Sequence, residues 1–558
     1  MCSAAASRSV LLPVVFVSHI GLAVLLAGCS IGCAEWHGRP GGFTGRDAPE
    51  TDSDLPPLPD RSLRGVFVVT AYNFDWPNRP GLNPRVLSDE IRAVVGRTKE
   101  LNCNVIILQV RAFGDRLHRW TRLSKPEPWS VALNPGSDRD PDKKPTPEYD
   151  PLGDWITQCH AAGIELHAWV NPFRVDRIVK DANDKVYSLL ASEKYDTVYL
   201  DYTQTNVQDY VIDVIDDLLR YRAKQDVTTV TPGGGALRVA RGGDGIDGLL
   251  FDHNLPKEHH HRVASRTTVL FSAPPDYTPH QKRVKWLATE YGAPTAGPKT
   301  MDDFIFRTFQ RVYKEHGLKF GISPNHDDAQ GMEWLKKGWV NYVVPELYTK
   351  DPPGSVKRRL GPWLGNVQPQ TEFTPIVVTG LCATRVQSPE DSSSQPWSGK
   401  DIADQMKEAN NARSRTGTRT SGEAHYSWSA LRAPCCGGPL DAQDPQNTLG
   451  ELLQREFYVQ PALVPNCTAP PGSRLPDKPV VSLANNTASW RLPAHSKTRV
   501  RFWAVWLHDS GPRSSGWGPM QVLDGSVSSR PVPRTVDRVA VKAIDHHNRE
   551  TDYGLAAP

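Results

Sequence analysis

Residues 245–253, Gly-Ile-Asp-Gly-Leu-Leu-Phe-Asp-His, join an apolar run to an acid and an imidazole. The run has the length of one strand and is bounded by glycine, which is typical of a buried parallel strand whose carboxyl end opens into a polar cleft. Asp252 at that end is placed for chemistry, because core on one side and cleft on the other can shift the pKa of a carboxyl group. The alternative is that Asp252 only caps the next turn, as Asp often does.

A second acid, Glu346, ends another apolar run, and polar and aromatic residues follow most of the predicted strands. Two acids among amides, guanidinium groups and indoles are suited to cleaving glycosidic bonds. One acid protonates the leaving oxygen, the other stabilises the cationic transition state, and flat rings bind sugar faces. We therefore predict Asp252 and Glu346 as catalytic residues. The predicted substrate-binding residues are Tyr72, Asp75, Trp76, Gln109, Arg111, His167, Trp169, Asn171, Arg174, His253, Asn325 and Tyr348.

Some of these residues also have a structural interpretation. His167 follows an apolar segment and could be a hydrogen-bonded core histidine. Glu165 would share its side of a regular strand, where a structural pair is favoured over catalysis. Arg111 could hold a carboxylate at the barrel rim rather than a sugar. Trp76, Trp169 and Trp428 could pack in the core, and the sugar-stacking interpretation is favoured only for Trp169 and, more weakly, for Trp76.

No metal or cofactor is expected. The three histidines at 259–261 resemble a metal-binding tract, but the charged residues that flank them indicate a solvated loop. The glycines at 233–235 lack the Lys-Ser/Thr ending of a phosphate-binding loop. The 9 cysteines are too irregularly spaced to indicate a metal site, and we assign no disulfide pairing.

The candidate residues require a fold that brings strand ends together. Within residues 61–460, predicted strands at 64–72, 104–111, 164–172, 245–253, 318–323, 340–348, 375–380 and 423–428 alternate with helical spacing at 87–101, 151–162, 206–221, 304–316, 331–337, 401–412 and 449–457. A strand, a helix and a strand within about 45 residues make a parallel crossover unit. Eight strands in this order predict an α/β fold, a closed (β/α)8 TIM barrel with its chemistry at the carboxyl ends of the strands.

The C-terminal part of the sequence has a different pattern. Residues 461–478 are rich in proline and predict a linker. Residues 479–558 contain short alternating segments, such as 499–506, separated by turn residues and without helical spacing. This pattern predicts a small β-sandwich of fibronectin type III character.

The N-terminal residues predict export. Arg8 precedes a short apolar region that ends at Leu26-Ala27-Gly28-Cys29, so we predict a signal peptide at 1–28. The ending resembles the lipobox of bacterial lipoproteins, which implies lipidation of Cys29 and a membrane anchor. Cleavage near Ala34 by the ordinary signal peptidase and an uncleaved anchor remain open alternatives. Residues 29–60 predict a flexible tether. Any of the alternatives exports the protein, and we expect a lipid-anchored protein of the cell envelope that faces the periplasm or the exterior.

The overall charge excludes one class of partner. Lys+Arg 65 against Asp+Glu 62 gives a net charge of +3 over 558 residues. Long runs of one sign are absent from the sequence, which argues against a nucleic-acid binder, since phosphate contacts need a concentrated basic face. The expected partners are a polysaccharide substrate and a membrane reached through the lipid anchor, and the sequence indicates no particular protein partner.

Segments spread along the chain carry a family likeness: 64–67, 72–77, 109–111, 149–152, 165–174, 247–252, 320–324 and 344–348. Together they resemble the glycosyl-hydrolase-like family ten, bacterial TIM-barrel lipoproteins that often have a C-terminal fibronectin-like domain. A characterised member cleaves peptidoglycan glycan strands that lack stem peptides. The resemblance covers the chain from about Leu63 to the C terminus. It implies a glycoside hydrolase that acts on cell-wall glycan.

The chain departs from the family at the predicted catalytic positions. The family usually has a double acid at the end of the fourth strand, where this chain has Asp252 followed by His253, and a glutamine on the sixth strand, where it has Glu346. We interpret Asp252 as the nucleophile or electrostatic stabiliser and Glu346 as the general acid. One alternative is a glycan-binding barrel whose hydrolytic site has decayed. A metal-dependent polysaccharide deacetylase is disfavoured, because no set of His and Asp ligands recurs at the rim.

Overall fold

The computed structural model of the protein describes residues 55–119, 121–123, 127, 129–133, 149–179, 195–200, 202–223, 229–230, 236–237, 244–252, 300–348, 354–370, 372–386, 397–432, 449–466, 473–512 and 514–557. The chain divides into two compact units, Met1–Thr51 and Asp52–Pro558, and only the second contains described residues. The predicted signal peptide, Cys29 and most of the predicted tether lie outside the described residues. So do His253, the histidines at 259–261 and the glycines at 233–235.

Eight parallel strands form the centre of the second unit. They are β1 (Leu63–Val68), β2 (Val105–Arg111), β3 (Glu165–Val170), β4 (Gly248–Asp252), β5 (Lys319–Ser323), β6 (Tyr342–Val343), β7 in two pieces (Ile376–Val377 and Thr379–Leu381) and β8 (Gly422–His425). The first piece of β7 pairs with β6, and the second piece pairs with β8, which also pairs with β1. The sheet therefore closes on itself, and the predicted (β/α)8 barrel is confirmed.

Helices follow the strands in alternation. Those in the described parts of the barrel are α1 (Pro84–Glu100), α2 (Pro151–Ala161), α3 (Thr205–Arg220), α4 (Met301–Phe309), α5 (Ala329–Lys336), α6 (Ser355–Gly365), α7 (Gly399–Asn411) and α8 (Leu449–Leu452). Both α4 and α8 continue into wider π-type turns, Gln310–Glu315 and Leu453–Phe457. Two short hairpins, Arg174–Val179 with Tyr195–Tyr199 and Thr229–Val230 with Ala236–Leu237, extend from the barrel between β3 and β4.

Local sequence explains where several helices begin. The side chain of Asn83 accepts a hydrogen bond from the backbone of Val86, and Pro84 occupies the first helical position of α1. Thr300 and Ser398 each form a reciprocal capping box with an aspartate three residues later, at the starts of α4 and α7. These caps satisfy backbone N–H groups that have no partner within the helix, and so they fix the helix starts.

The structure differs from the sequence prediction in two places on the outer wall. Helix α6 has no predicted counterpart, because Pro362 lies inside it and a proline there indicates a break. Strand β8 ends at His425, so Trp428 lies on a short helical turn, Trp428–Leu431, rather than on a strand. Both differences leave the order of the barrel unchanged.

The C-terminal segment folds as two antiparallel sheets. One contains β9 (Val480–Ala484), β10 (Thr487–Arg491) and β14 (Ser529–Pro531); the other contains β11 (Phe502–Gly511), β12 (Ser514–Trp517), β13 (Gln521–Asp524), β15 (Val536–Ile544) and β16 (Gly554–Ala556). Trp490 from the first sheet and Trp503 from the second belong to the same buried apolar cluster. A buried apolar cluster formed by side chains of two antiparallel sheets is consistent with the predicted β-sandwich.

The sandwich contacts the amino ends of the barrel strands. Arg501, which immediately precedes β11, donates from Nε and Nη2 to the two carboxylate oxygens of Asp247, at 2.8 and 3.1 Å. Asp247 itself lies just before β4 begins. Asp247 also accepts hydrogen bonds from the backbone of Leu166, at 2.9 Å, and from His160, at 3.0 Å. Burial alone would raise the pKa of Asp247, but Arg501 and His160 hold it well below its usual value. The buried guanidinium therefore joins the sandwich to the base of the barrel.

A pocket of about 230 Å³ lies at the amino ends of β1 and β8, at the opposite end of the strands from Asp252. Arg64, Glu423 and Tyr458 are among its lining residues. The Tyr458 hydroxyl donates to Glu423 at 3.2 Å. Burial raises the pKa of Glu423 to about 7, although Tyr458, Arg64 and Asn410 partly oppose the shift. The Glu423 carboxyl is therefore the group of this pocket that titrates near neutral pH.

Glu423 is expected to make stability depend on pH. Its folded pKa of about 7 exceeds the usual glutamate value of 4.5, so it contributes stability below pH 4.5 that is lost as the pH rises through 7. The difference in unfolding free energy between wild type and Glu423→Gln should therefore fall by about 3 kcal/mol from pH 4.5 to 8. Urea unfolding at several pH values measures it, with the exposed Glu333→Gln as control. A pH-independent difference would contradict the expectation.

Candidate active site at the carboxyl end of the barrel

The two predicted catalytic acids lie at the ends of β4 and β6, which are separated by one strand, β5. Asp252 is the last residue of β4 and lies in register with Ser323, the last residue of β5. The Ser323 hydroxyl lies 3.3 Å from Oε1 of Glu346, which follows β6 and bridges Asn325 on one side and Gly380 on the other. Strand spacing of about 4.8 Å puts β4 and β6 roughly 10 Å apart. Asp252 and Glu346 are 4% and 8% exposed, so both are mostly shielded from solvent.

Two tyrosines experience the charge of both acids. Burial raises the pKa of Tyr348 well above its usual value, and the negative charges of Glu346 and Asp252 raise it further. Burial likewise raises the pKa of Tyr426, with contributions from Asp75, Glu346 and Asp252. The two rings lie 5.6 Å apart. Leu250 and Val344, two residues before Asp252 and Glu346, belong to the apolar cluster inside the barrel. Because side chains two residues apart on a strand share a face, we infer that both acids face one chamber, which we call the bowl.

Strand alternation carries further residues to the same end. Trp169 lies level with Leu250 in the register of β3 and β4, so Asn171 follows at the level of Asp252. The Trp169 ring packs edge-on against Phe67 at 5.6 Å and lies 6.4 Å from Tyr426. Trp169 thus forms the floor between the barrel interior and the bowl.

The loop after β1 is held in an unusual backbone conformation. Tyr72 and Asn73 have φ angles of 59° and 56°, in the left-handed region that non-glycine residues rarely adopt. The Asn73 amide donates to the carbonyls of Pro77 and Ala132, at 2.9 and 2.8 Å, and this fixes the loop. The Tyr72 ring packs edge-on against Phe113 at 5.2 Å. Strain maintained in this way is common beside ligand sites.

The side chains of Asp75 and Gln109 accept hydrogen bonds from backbone N–H groups near the strand ends and so hold the rim in place. Asp75 accepts hydrogen bonds from the backbone of Val69 and Ser429 and from the hydroxyl of Ser427, and so ties the β1 exit to the β8 exit. Burial raises the pKa of Asp75 to about 6, against these hydrogen bonds. The Gln109 carbonyl oxygen accepts from the backbone of Thr70 and Ala71. Both side chains shape the rim through neighbouring backbone.

Arg111 holds a rim carboxylate, which is the alternative that the sequence left open. Its Nε and Nη2 donate to the two oxygens of Glu127, each at 2.8 Å, and its Nη1 donates to the carbonyls of Asn171 and Pro172. The Tyr210 hydroxyl donates to the same carboxylate. The guanidinium is therefore engaged by the protein itself. Sequence reasoning missed Glu127, because it lies in a long loop without periodic spacing.

The structure corrects the interpretation of His167. Its Nδ1 lies 2.8 Å from the Tyr342 hydroxyl and its Nε2 lies 3.0 Å from Glu165, which Lys319 pairs with at 2.8 Å. His167 is level with Gly248, four residues before Asp252 on the neighbouring strand. A histidine at that level is a hydrogen-bonded core residue inside the barrel and does not reach the bowl.

Trp76 is also corrected. Its ring packs edge-on against Trp155 of α2 at 5.3 Å, and it belongs to the apolar layer between strands and helices. The indole N–H is directed at the carbonyl of Leu87 in α1, at 3.4 Å. The residue is 1% exposed, so this ring is a core residue and not a sugar-binding one.

The described residues also bear on metals and membranes. Among them, no group of three or more His, Cys, Asp or Glu side chains is arranged to hold a metal ion. In the same residues, no helix combines the length and apolar character that a membrane crossing requires.

The closed barrel with its acid-lined rim has the architecture of a glycoside-hydrolase-type barrel. The chain is 23% identical over 447 residues to glycosyl hydrolase YngK of Bacillus subtilis (strain 168), covering 73% of this chain and 74% of the relative. It is 26% identical over 371 residues to glycosyl hydrolase DigH of Escherichia coli (strain K12), covering 59% and 74%. No protein-family model matches the chain. The chain is a distant homologue of these named glycosyl hydrolases, and the predicted likeness to a glycosyl-hydrolase-like family is confirmed.

Solved structures similar to this chain include glycoside hydrolases. The PgaB (BpsB) glycoside hydrolase domain from Bordetella bronchiseptica is 13% identical, covers 66% of this chain and 95% of its own length, and has a TM-score of 0.34. The endo-1,4-beta-mannanase from Rhizomucor miehei is 12% identical, covers 72% and 96%, and has a TM-score of 0.35. TM-scores this low do not establish a shared fold, which rests here on strand order and register.

Proposed function

We propose that the protein is an exported lipoprotein that hydrolyses cell-wall (peptidoglycan) glycan strands through Asp252 and Glu346. The observation that carries the proposal is that Asp252 ends β4 in register with Ser323, whose hydroxyl lies 3.3 Å from Glu346. Two acids that can flank a glycosidic bond are what its hydrolysis needs. The relatives named glycosyl hydrolases support the reaction class.

We assign the role of proton donor to Glu346. Its carboxylate is 8% exposed and accepts a hydrogen bond at 3.3 Å from the Ser323 hydroxyl, which also contacts the carbonyl oxygen of Val344 at 3.0 Å. Ser323 therefore helps to fix the position of this carboxyl group after β6. A general acid needs such a fixed position within reach of the leaving oxygen.

In the proposed reaction, Glu346 donates its proton to the glycosidic oxygen as the bond to the anomeric carbon breaks. Asp252 either bonds to the anomeric carbon or stabilises the developing positive charge. Water then bonds to the anomeric carbon, breaks the bond to Asp252 where one has formed, and loses a proton to a carboxylate. Carboxyl groups about 5 Å apart would retain the anomeric configuration, and groups about 6.5–9.5 Å apart would invert it.

The aromatic residues around the bowl support a sugar ligand. Tyr348 and Tyr426 form one wall and Trp169 forms the floor. Tyr72 lies on the loop after β1, against Phe113. Flat rings contact the apolar faces of pyranose sugars, while their polar edges accept or donate hydrogen bonds. The peptidoglycan strand as substrate follows from the family likeness of the sequence.

The proposed location at a membrane of the cell envelope follows from the lipobox-like segment 26–29, which ends in Cys29. Lipidation there would anchor the barrel to a membrane of the cell envelope. With Cys29→Ser, we expect the protein to leave the membrane fraction and to lose incorporation of labelled fatty acid. Ser30→Ala serves as a neighbouring control. Membrane retention together with unchanged labelling of Cys29→Ser would contradict the anchor.

Hydrolysis is tested by incubating the purified protein with glycan strands freed of stem peptides. We expect new reducing ends and soluble saccharides to accumulate in proportion to enzyme and time. If the protein binds the strands but releases no product at stoichiometric concentration, the proposal fails, and the glycan-binding barrel with a decayed site is the correct interpretation. Mass spectrometry of the products identifies the linkage cleaved.

A further inference from the structure

Arg174 is a buried cation without a counter-ion among the described residues. It follows β3, is 8% exposed, and begins the hairpin strand Arg174–Val179. Its guanidinium stacks over the Phe113 ring at 4.6 Å from the centroid, and its Nε is buried without a hydrogen-bond partner. In the part of the chain that the structure describes, no carboxylate or carbonyl accepts from its side chain.

Other arginines near this rim are satisfied by the protein. Arg111 is paired with both oxygens of Glu127. Arg116 also stacks on an aromatic ring, that of Trp129 at 4.4 Å, but it donates to the carbonyls of Glu127, His118 and Arg119. Burying an uncompensated charge costs free energy. The contrast indicates that Arg174 is kept for an acceptor that a ligand supplies.

Asn171 shows the same lack of partners beside Arg174. It is 0% exposed, and neither its Oδ1 nor its Nδ2 has a hydrogen-bond partner among the described residues. Its backbone is fixed, because its N–H donates to the carbonyl of Arg111 and its carbonyl accepts from the Arg111 guanidinium. By register it lies at the level of Asp252, one strand away. A fixed amide donor therefore lies beside the acid that would face the anomeric carbon.

The charges of the bowl define what these donors can bind. A guanidinium fork and an amide N–H₂ group are suited to two oxygens that share a negative charge. The negative charge of Asp252 would repel an anionic substrate, so a substrate that carries a carboxylate needs a cation at this side of the bowl. A neutral glycan would leave both donors unsatisfied.

We propose that Arg174 and Asn171 bind a carboxylate carried by the sugar strand, so that the site selects acidic glycans over neutral ones. The inference rests on the proposed hydrolysis of glycan strands and adds its selectivity. Among cell-wall glycans, the fitting class carries a free carboxylate on a sugar substituent. The same strand with that carboxylate amidated has nearly the same shape and lacks the charge.

The test compares glycan strands that carry free carboxylates with the same strands after amidation. Wild type should show kcat/KM about 10- to 100-fold higher for the free acid, the size expected for charge-assisted hydrogen bonds. In Arg174→Met this ratio should fall toward one, and Asn171→Asp should lower it by adding a repelling charge. Arg116→Gln is the matched control, since it removes a ring-stacked guanidinium that the protein satisfies, and its ratio should equal that of wild type.

Stability gives a second measurement. Arg174→Met removes an unpaired buried charge and keeps apolar contact with Phe113, so its melting temperature should equal or exceed that of wild type. A lower melting temperature with an unchanged ratio would show a structural residue and overturn the inference. Equal wild-type rates on both strands would also overturn it, while the hydrolysis itself stands. If wild type hydrolyses neither strand, the proposed function fails. The carboxylate site is then tested by binding alone, and equal affinity of wild type for the free-acid and amidated strands would overturn it.

Discussion

Replacing Glu346 with Gln is expected to lower the turnover of glycan strands by about 10²- to 10⁴-fold, the usual contribution of a general acid. The amide is nearly the same size, so it can keep the 3.3 Å contact with Ser323 while removing the transferable proton. Substrate binding should change little, because the loss falls on the step in which the leaving oxygen is protonated. Steady-state kinetics with strands of defined length measure kcat and KM separately.

Asp252→Asn should reduce turnover by at least as much, because it removes the charge opposite the anomeric carbon. The matched control is Glu372→Gln, a surface acid that pairs with Lys314 at 2.5 Å on the outer wall. Circular dichroism and melting temperature show whether each variant is folded. Folded variants at positions 252 and 346 with wild-type turnover would remove both acids from the mechanism.

Replacing Arg501 with Met is expected to destabilise the protein by about 3–5 kcal/mol, the cost of leaving one partner of a buried ion pair uncompensated. Asp247 would keep its hydrogen bonds to Leu166 and His160 but lose two charge-assisted bonds from Arg501. Because these bonds join the sandwich to the base of the barrel, the loss should appear in the unfolding of both parts. Urea unfolding followed by tryptophan fluorescence measures it.

Two further variants make this prediction specific. Arg499 pairs with Asp244 from a side chain that is 53% exposed, so Arg499→Met should cost less than about 1 kcal/mol. Adding Asp247→Asn to Arg501→Met removes the stranded charge and should recover part of the lost stability. If Arg501→Met and Arg499→Met unfold alike, the buried pair does not stabilise the contact between barrel and sandwich.

The barrel order could be predicted from sequence because its signals are local. Apolar runs such as 105–108 and 249–251 have the length of buried strands, and helices such as α3 show the spacing of one apolar face. Helix α6 escaped prediction because Pro362 interrupts that local signal, although its apolar residues still pack in the core.

The candidate site was harder to predict, because it depends on register and on long-range partners. His167 and Asp252 both point inward, but pairing of His167 with Gly248 puts it below the bowl, and no local pattern reveals that level. Glu127, which engages Arg111, comes from an aperiodic loop. Tyr426 could have been predicted, because Ala424 points into the barrel and side chains two residues apart on a strand share a face. The aromatic residue chosen on this strand was instead Trp428. The position of a residue on a strand thus predicts whether its side chain points into the barrel. Its level along the barrel axis can be read only from the pairing of neighbouring strands.

The most direct test is a crystal structure of the Glu346→Gln variant with a bound glycan fragment. We expect a glycosidic oxygen within about 3 Å of the side chain at 346 and an anomeric carbon that faces Asp252. The sugar ring should lie against Tyr348 and Tyr426. A glycan bound elsewhere, or side chains at 252 and 346 that face different surfaces, would contradict it.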